Sequence, residues 1–405
     1  MSKRLWLPAV LFSLTLAAGP VTAQQTPLTQ AQAQAMVGTP AGLAEFVWRL
    51  FVQAAQPAGG LLMFETWTEQ CQLNPLMVGC PSPTAAAADR RLGHASALLL
   101  ANRRKAGNAP NLEITQTGLE CNSMQTSALN GYPPPSNLSS NPTFCEQVFV
   151  NPQERGFIVQ SGLTTLSGQQ AYGSKNGNAI TFPWDAIEVK ADWVPTSSYT
   201  GPNFSCPDPN LYTQMYNGVC YALIGLHISS KVLPDWVWAT FEPASAITNP
   251  NRCDPNLYST CFDPWGTTSS APYGKGQTVP QSQQLQQLMT SAGINAVFKN
   301  YYLTGVQTQF VVGGKPVPLG SSFVEFNAGV LPGQASCITC HKYAYFDGKN
   351  PGKGAPEDNF GGAPAGWSAT GYACSSNPSS GNCTPVAINS TSQDFSWVLG
   401  LMPFN

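Results

Sequence analysis

The sequence predicts an α+β fold, in which an antiparallel β-rich region is followed by a smaller, mostly helical and irregular region. Residues 187–193 alternate apolar and charged side chains, the pattern of a half-buried strand. Residues 219–228 form a nearly continuous apolar run, which is typical of a central strand. A stretch rich in Pro, Asn, Ser and Gly at 243–280 then separates these strands from renewed helical periodicity. We therefore predict a β-rich sandwich or barrel-like region over 24–280 and a second region over 281–405.

The N-terminus has the pattern of a secretory signal peptide. Lys3 and Arg4 precede an uncharged apolar run at 5–18, and residues 21–23 form a small-x-small cleavage pattern. The alternative is a membrane anchor, but the run is shorter than the ~20 residues of a spanning helix. We expect residues 1–23 to be removed after Ala23, which would place the chain in the periplasm without a stable membrane anchor.

The individual elements follow from local signals. Thr39 and Pro40 predict the start of an amphipathic helix over 41–55. Residues 236–241 alternate as a further strand, in which tryptophans are expected to belong to the sheet core. Beyond the Pro-rich stretch, the periodicity predicts a helix within 281–303 and short strands near 309–312 and 323–326.

Composition bounds the class of protein. Charged residues are only 10% of the chain, and 37 Gly and 35 Pro indicate a turn-rich globular protein. Without Lys3 and Arg4, the chain has 17 basic and 21 acidic residues, a net charge of −4. That balance gives no reason to expect nucleic acid or an anionic membrane as a partner.

The 12 cysteines separate into two groups. Ten of them fall into close sequence pairs, and in an exported protein such pairs predict local disulfides, with free buried thiols as the alternative. The predicted pairs are Cys71–Cys80, Cys121–Cys145, Cys206–Cys220, Cys253–Cys261 and Cys374–Cys383. The remaining two, Cys337 and Cys340, belong to a different motif.

Residues 337–341 read Cys-Ile-Thr-Cys-His, a CxxCH motif. Two thiols at this spacing can add across the two vinyl groups of haem, and His341 then becomes an axial iron ligand. A zinc site or a thioredoxin-like dithiol also uses CxxC. A zinc site would need two further ligands in a chain with two other histidines, and a thioredoxin-like site would need a βαβ context. The motif therefore predicts one covalent haem c.

The second axial ligand has several candidates. Met402 is the only methionine after His341 and lies 61 residues beyond it, while His227 lies within an apolar strand. Met289 or an open position remains possible, and His227 could instead be a core histidine. Tyr343, Tyr345 and Phe346 follow the motif and are expected to pack against the porphyrin. His94 is expected to be a surface or capping residue.

Several segments together resemble a group of large bacterial periplasmic monohaem c-type cytochromes. They are residues 64–67 (FETW), 186–193 (AIEVKADW), 225–228 (GLHI), 236–242 (WVWATFE), 336–341 (SCITCH) and 394–397 (DFSW). The resemblance covers most of the chain in patches and implies a haem protein, while its substrate stays open. The Cys-rich loops at 206–220 and 253–261 depart from it as insertions.

Three functions are consistent with these observations. The first is one-electron transfer with a periplasmic redox partner protein. The second is a haem-dependent oxidoreductase, peroxidase or oxygen-using, with an open sixth iron position. The third is a binding or sensor module linked to haem. A domain of ~100 residues suffices to enclose one haem, so electron transfer alone does not explain the large β-rich region. The oxidoreductase and the binding or sensor module therefore stay as alternatives. The sequence leaves the oligomeric state open.

Overall fold

The structure is a computed structural model of the chain. The structure describes residues 28–73, 113–114, 120–123, 137–201, 203–245, 247–257, 260–312, 315–325, 333, 335–342, 344–346, 372–374, 383–385 and 391–401.

The described residues combine α-helices with antiparallel sheets, so the predicted α+β class is confirmed. The helices are α1 Gln30–Met36, α2 Pro40–Ala54, α3 Gln70–Leu73, α4 Pro152–Gln160, α5 Leu166–Lys175, α6 Gln283–Ser291 and α7 Cys337–Lys342. None of the helices in the described part of the chain has the length and apolarity to cross a bilayer.

The strands are short at both ends of the chain and long in its middle. They are β1 Pro57–Ala58, β2 Leu61–Leu62, β3 Thr68–Glu69, β4 Glu113–Ile114, β5 Glu120–Ser123, β6 Thr143–Val150, β7 Ile187–Pro195, β8 Thr213–Tyr216, β9 Val219–Ser230, β10 Val237–Pro243, β11 Tyr301–Gln307, β12 Val311–Val312, β13 Lys315–Pro316, β14 Tyr345–Phe346, β15 Tyr372–Cys374, β16 Cys383–Pro385 and β17 Thr391–Ser392.

Nine strands form one antiparallel sheet in the order β11-β10-β9-β7-β6-β5-β4, with β3 paired to β6 and β8 paired to β9. The three strands expected from alternation and from the apolar run are β7, β9 and β10, and they lie at its centre. The sequence-predicted boundary at 280 falls before β11, which pairs with β10 and so extends the same sheet.

Both faces of this sheet are covered by other parts of the chain. Side chains alternate between the two faces along each strand, so neighbouring residues of one strand belong to different clusters. On one face, Ala239 and Phe241 of β10 pack in the main core with helix α2, where the rings of Phe51 and Phe241 lie 4.5 Å apart. On the other face, Trp238 joins a second cluster with Ile338 and Phe395 from the C-terminal part of the chain. The sheet therefore places the CxxCH motif on the face opposite to α2.

Helix α2 begins as its sequence predicts. The side chain of Thr39 accepts a hydrogen bond from the Gly42 N–H at 3.1 Å, and Pro40 occupies the first helical position. Farther on, helix α6 confirms a helix within 281–303, although residues 301–303 belong to strand β11. Tyr301 and Leu303 pack in the main core, and Tyr302 is buried in a separate cluster with Cys253 and Cys261. This burial outweighs helical spacing.

Of the strand pair predicted near 309–312 and 323–326, the first strand is present, but the prediction of a second strand near 323–326 is wrong for the described residues 323–325. Val311 and Val312 pair instead with residues 315–316. Phe323 lies in a turn, 1% exposed, and packs beside Phe144. Burial in that apolar cluster, without strand pairing, explains the apolar pattern that suggested a strand.

Three of the predicted disulfides are formed, Cys121–Cys145, Cys206–Cys220 and Cys253–Cys261. Cys71 is also disulfide-bonded, but Cys80 lies outside the described residues. Cys374 and Cys383 are direct Cα partners in the β15–β16 pair, and their side chains lie outside the described part.

Candidate functional site

The CxxCH motif forms the short helix α7, which is fixed to the end of strand β11. The Ser336 hydroxyl accepts a hydrogen bond from the Thr339 N–H at 3.3 Å and so caps the helix. The side-chain amide of Gln307 donates to that hydroxyl at 2.9 Å, while its carbonyl oxygen accepts the Ile338 N–H at 2.9 Å. Ile338 is fully buried, so α7 is held both by polar contacts and by packing.

The two motif cysteines are not bonded to each other. Burial, together with the nearby Glu325 carboxyl, raises the pKa of the Cys337 thiol strongly and that of Cys340 to about 11. Both are therefore neutral thiols at pH 7. A thioredoxin-like dithiol needs a lowered thiol pKa, so this environment does not favour that alternative.

The ring of His341 is oriented by a backbone carbonyl. Its Nδ1 lies 2.8 Å from the Phe395 carbonyl oxygen, and burial lowers the pKa of His341 to about 4. The imidazole is therefore neutral, and because a carbonyl can only accept, Nδ1 carries the hydrogen. This leaves the lone pair on Nε2, the arrangement found in metal-binding histidines.

An uncommon backbone conformation at Asp394 and Phe395 directs the Phe395 carbonyl towards His341. Asp394 and Phe395 have φ angles of 54° and 69°, which cost non-glycine residues about 1–3 kcal/mol each. Asp394 is held there by Lys231, whose Nζ donates to Oδ1 at 2.6 Å, and by the Phe182 N–H at 2.7 Å. These contacts fix the orientation of His341 indirectly.

Cys337, Cys340 and His341 line one cavity of about 350 Å³ on this face of the sheet. Much of its wall is apolar and includes Val148, Ile228, Trp238, Trp397 and Val398. The Trp238 ring lies 4.4 Å from the His341 ring, centroid to centroid. An apolar cavity with a few polar groups is the usual form of a cofactor site.

The polar part of the wall comes from the neighbouring strands. His227 also lines the cavity, with Nε2 2.5 Å from Asp192 Oδ2 and Nδ1 3.0 Å from Thr240 Oγ1. Both ring nitrogens of His227 are thus engaged. His227, the alternative iron ligand predicted from the sequence, thus lies at the same cavity as the CxxCH motif. To bind iron, its ring would have to lose one of these two contacts.

Two charged side chains complete this polar wall. Lys190 is ion-paired with Glu146, and although burial alone would lower the pKa of Lys190, the carboxylates of Glu146 and Asp192 raise it. Burial raises the pKa of Glu325 to about 7, despite the opposing charge of Lys190. The cavity therefore contains a permanent cation beside a carboxyl that titrates near neutrality.

The other candidates from the sequence lie elsewhere or outside the description. Met402, Tyr343 and His94 are outside the described residues, as are the side chains of Tyr345 and Phe346 in β14. Met289 is buried in the main core with α6, on the opposite face of the sheet. Across the described residues, no group of three or more His, Cys, Asp or Glu side chains is arranged to hold a metal ion.

Several residues of the site were not singled out from the sequence. Gln307 and Phe395 position the motif, Lys190 of β7 lines the cavity, and Asp192 of β7 contacts His227. Lys190, Asp192 and Phe395 stand in the segments 186–193 and 394–397 that carry the family resemblance, but nothing in those segments indicated a place at the site. The alternation of charged residues along β7 equally fits a solvent-facing edge.

Comparison of the chain with protein-family models, with curated proteins and with solved structures finds no match.

Proposed function

We propose that the chain is an exported monohaem c-type cytochrome that transfers one electron with a periplasmic redox partner protein. The observation that carries the proposal is the convergence of three groups on one cavity. They are two neutral thiols at CxxC spacing and a neutral imidazole whose Nδ1–H is held by the Phe395 carbonyl. This donor set fits covalent haem with His341 as axial ligand.

Each chain residue has a defined task in this proposal. Cys337 and Cys340 would bind the macrocycle, His341 would ligate iron through Nε2, and Trp238 would exclude water beside the imidazole. When bound, haem supplies a one-electron redox couple. The resemblance to periplasmic monohaem cytochromes and the predicted signal peptide support the same proposal, because thioether attachment takes place outside the cytoplasm.

The test is covalent attachment. The double variant Cys337→Ala/Cys340→Ala, co-expressed with a haem-attachment system, should lose haem staining on a denaturing gel, whereas the wild type keeps it. The double variant Cys206→Ala/Cys220→Ala is the matched control, since it removes a disulfide away from the cavity and should keep the stain. Persistent staining without the motif cysteines would contradict the proposal.

A haem-dependent oxidoreductase with an open sixth iron position is the second candidate. It is favoured by one observation, the polar wall formed by His227, Lys190 and Glu325, in which both nitrogens of His227 are engaged. Carbon monoxide binding to the reduced wild-type protein separates the two candidates. Binding favours the oxidoreductase, and a saturated, unreactive iron favours electron transfer.

A further inference from the structure

Two buried glutamates from different elements meet beside the cavity. Glu154 belongs to the first turn of α4 and is 0% exposed, and Glu188 of β7 is 6% exposed. Both carboxyl oxygens of Glu154, and Oε1 of Glu188, accept no hydrogen bond from any of the described residues. Neither carboxyl forms an ion pair with a described lysine, arginine or histidine.

The chain places the two carboxyl groups beside each other, because Val150 just before α4 pairs with Glu188 and the Asn151 N–H donates to the Ile187 carbonyl at 3.0 Å. Ionised carboxylates are only acceptors, so two of them would face each other without a hydrogen between them. One proton resolves this conflict, because a protonated carboxyl can donate to its neighbour. Burial first, and then the neighbouring carboxylates, raises the pKa of Glu154 well above its ordinary value, and burial also raises that of Glu188.

The other charged groups around the pair do not remove the need for this proton. Asp394 adds negative charge, which raises both pKa values, and its own partner is Lys231 at 2.6 Å. Lys190, two residues from Glu188 on β7, is paired with Glu146. The Ser396 hydroxyl faces Glu188 and lowers its pKa only in part.

The pair also lies in the wall of the candidate site. Glu188 lines the same cavity as Cys337, Cys340 and His341. A charge that appears in the cavity therefore acts on the carboxyl pair through the protein interior, where the effective dielectric constant is far below that of water.

We propose that Glu154 and Glu188 form a redox-linked proton site, which takes up a proton when the haem in this cavity is reduced and releases it on oxidation. The inference rests on the proposed haem function. When a partner protein or an electrode supplies one electron to the bound haem, one proton would move from water to a carboxylate oxygen of the pair. On oxidation, the electron leaves to the acceptor and the proton returns to water. Coupling is reciprocal, so proton binding favours the reduced state.

The experiment measures the midpoint potential of the haem-loaded full chain by spectroelectrochemistry between pH 5 and 9. The wild type should show a potential that falls as pH rises, with a limiting slope of about 59 mV per pH unit for one electron and one proton. Glu154→Gln should remove most of that slope while leaving the absorption spectrum unchanged. Glu154→Asp should restore part of it. Glu45→Gln, at a carboxylate of α2 that is paired with Arg49 away from the cavity, should keep the full slope.

Two controls keep the outcomes distinct. Glu325→Gln measures the part of the slope that comes from Glu325, and haem staining on a denaturing gel tests the proposed function separately. If Glu154→Gln fails to fold, proton uptake by the wild type on reduction, followed with a pH dye in weak buffer, decides the question. A flat wild-type potential, no proton uptake, or a full slope in Glu154→Gln would overturn the proposal even in a protein that holds haem.

Discussion

The contacts of the His227 ring nitrogens bear on which residue would be the second iron ligand in the proposed haem site. Nε2 faces Asp192, which is fully buried, and Nδ1 faces Thr240, which is also fully buried. Breaking either contact would leave a buried polar group without a partner, at a cost of about 1–3 kcal/mol. The geometry therefore favours a positioning role for His227 and leaves Met402 as the sequence-predicted sixth ligand.

Optical spectra of haem-loaded variants test this assignment. His227→Gln should keep a low-spin spectrum, because the substitution would not remove an iron ligand. Met402→Ala should produce a high-spin iron that binds carbon monoxide. The control is Met215→Ala, at a side chain 58% exposed. A high-spin His227→Gln would reverse the assignment, and carbon monoxide binding by the wild type would indicate an open position instead.

Helix α2 is the element whose local sequence signals agree best with its environment. Its N-terminus is capped by Thr39, and its inner face packs Trp48 and Phe51 against Phe241 of the sheet. A capping side chain satisfies an N–H group that has no partner within the helix. The cap therefore stabilises the helix without taking part in the core.

Removal of that cap gives an element-scale prediction. Thr39→Ala should lower the free energy of unfolding by about 1 kcal/mol, measured by urea denaturation followed by circular dichroism. Thr290→Ala on the exposed side of α6 is the matched control, because among the described residues the Thr290 hydroxyl bonds only the Gln286 carbonyl of the same helix. That change should stay within about 0.5 kcal/mol. Equal losses in both variants would contradict the capping role.

At the scale of the whole molecule, one sheet separates the main core from the cavity that holds the CxxCH motif. The cavity face of the sheet carries Glu188, Lys190 and His227, which are buried or half-buried, unlike the polar face of an exposed sheet. Burial of ionisable groups makes the stability of the whole fold depend on pH.

The raised pKa of Glu325 predicts whether the free energy of unfolding rises or falls with pH. Its pKa is raised from 4.5 to about 7 on folding, so the folded state binds more protons between these values. The free energy of unfolding contributed by Glu325 is therefore complete below about pH 4 and is lost as pH rises towards 7. Urea denaturation of Glu325→Gln between pH 4 and 8 should show a smaller decline than the wild type. Parallel curves for both proteins would exclude this contribution.

From its local patterns, the sequence predicted the class of the fold, the central strands β7, β9 and β10, the start of α2 and the pairing of three disulfides. These features depend on alternation, capping and close cysteine spacing, which act over a few residues. It also predicted the CxxCH motif as the chemical centre of the chain.

The residues that surround that motif are set by contacts between distant parts of the chain. Phe395 reaches His341 across 54 residues of chain, and Asp192 reaches His227 across 35. Such contacts depend on strand order and on the packing of the C-terminal segment, which no local pattern encodes. Charged residues on β7 have the same alternation whether they face water or a cavity. Only the segment that covers a strand therefore decides whether its polar face becomes surface or site.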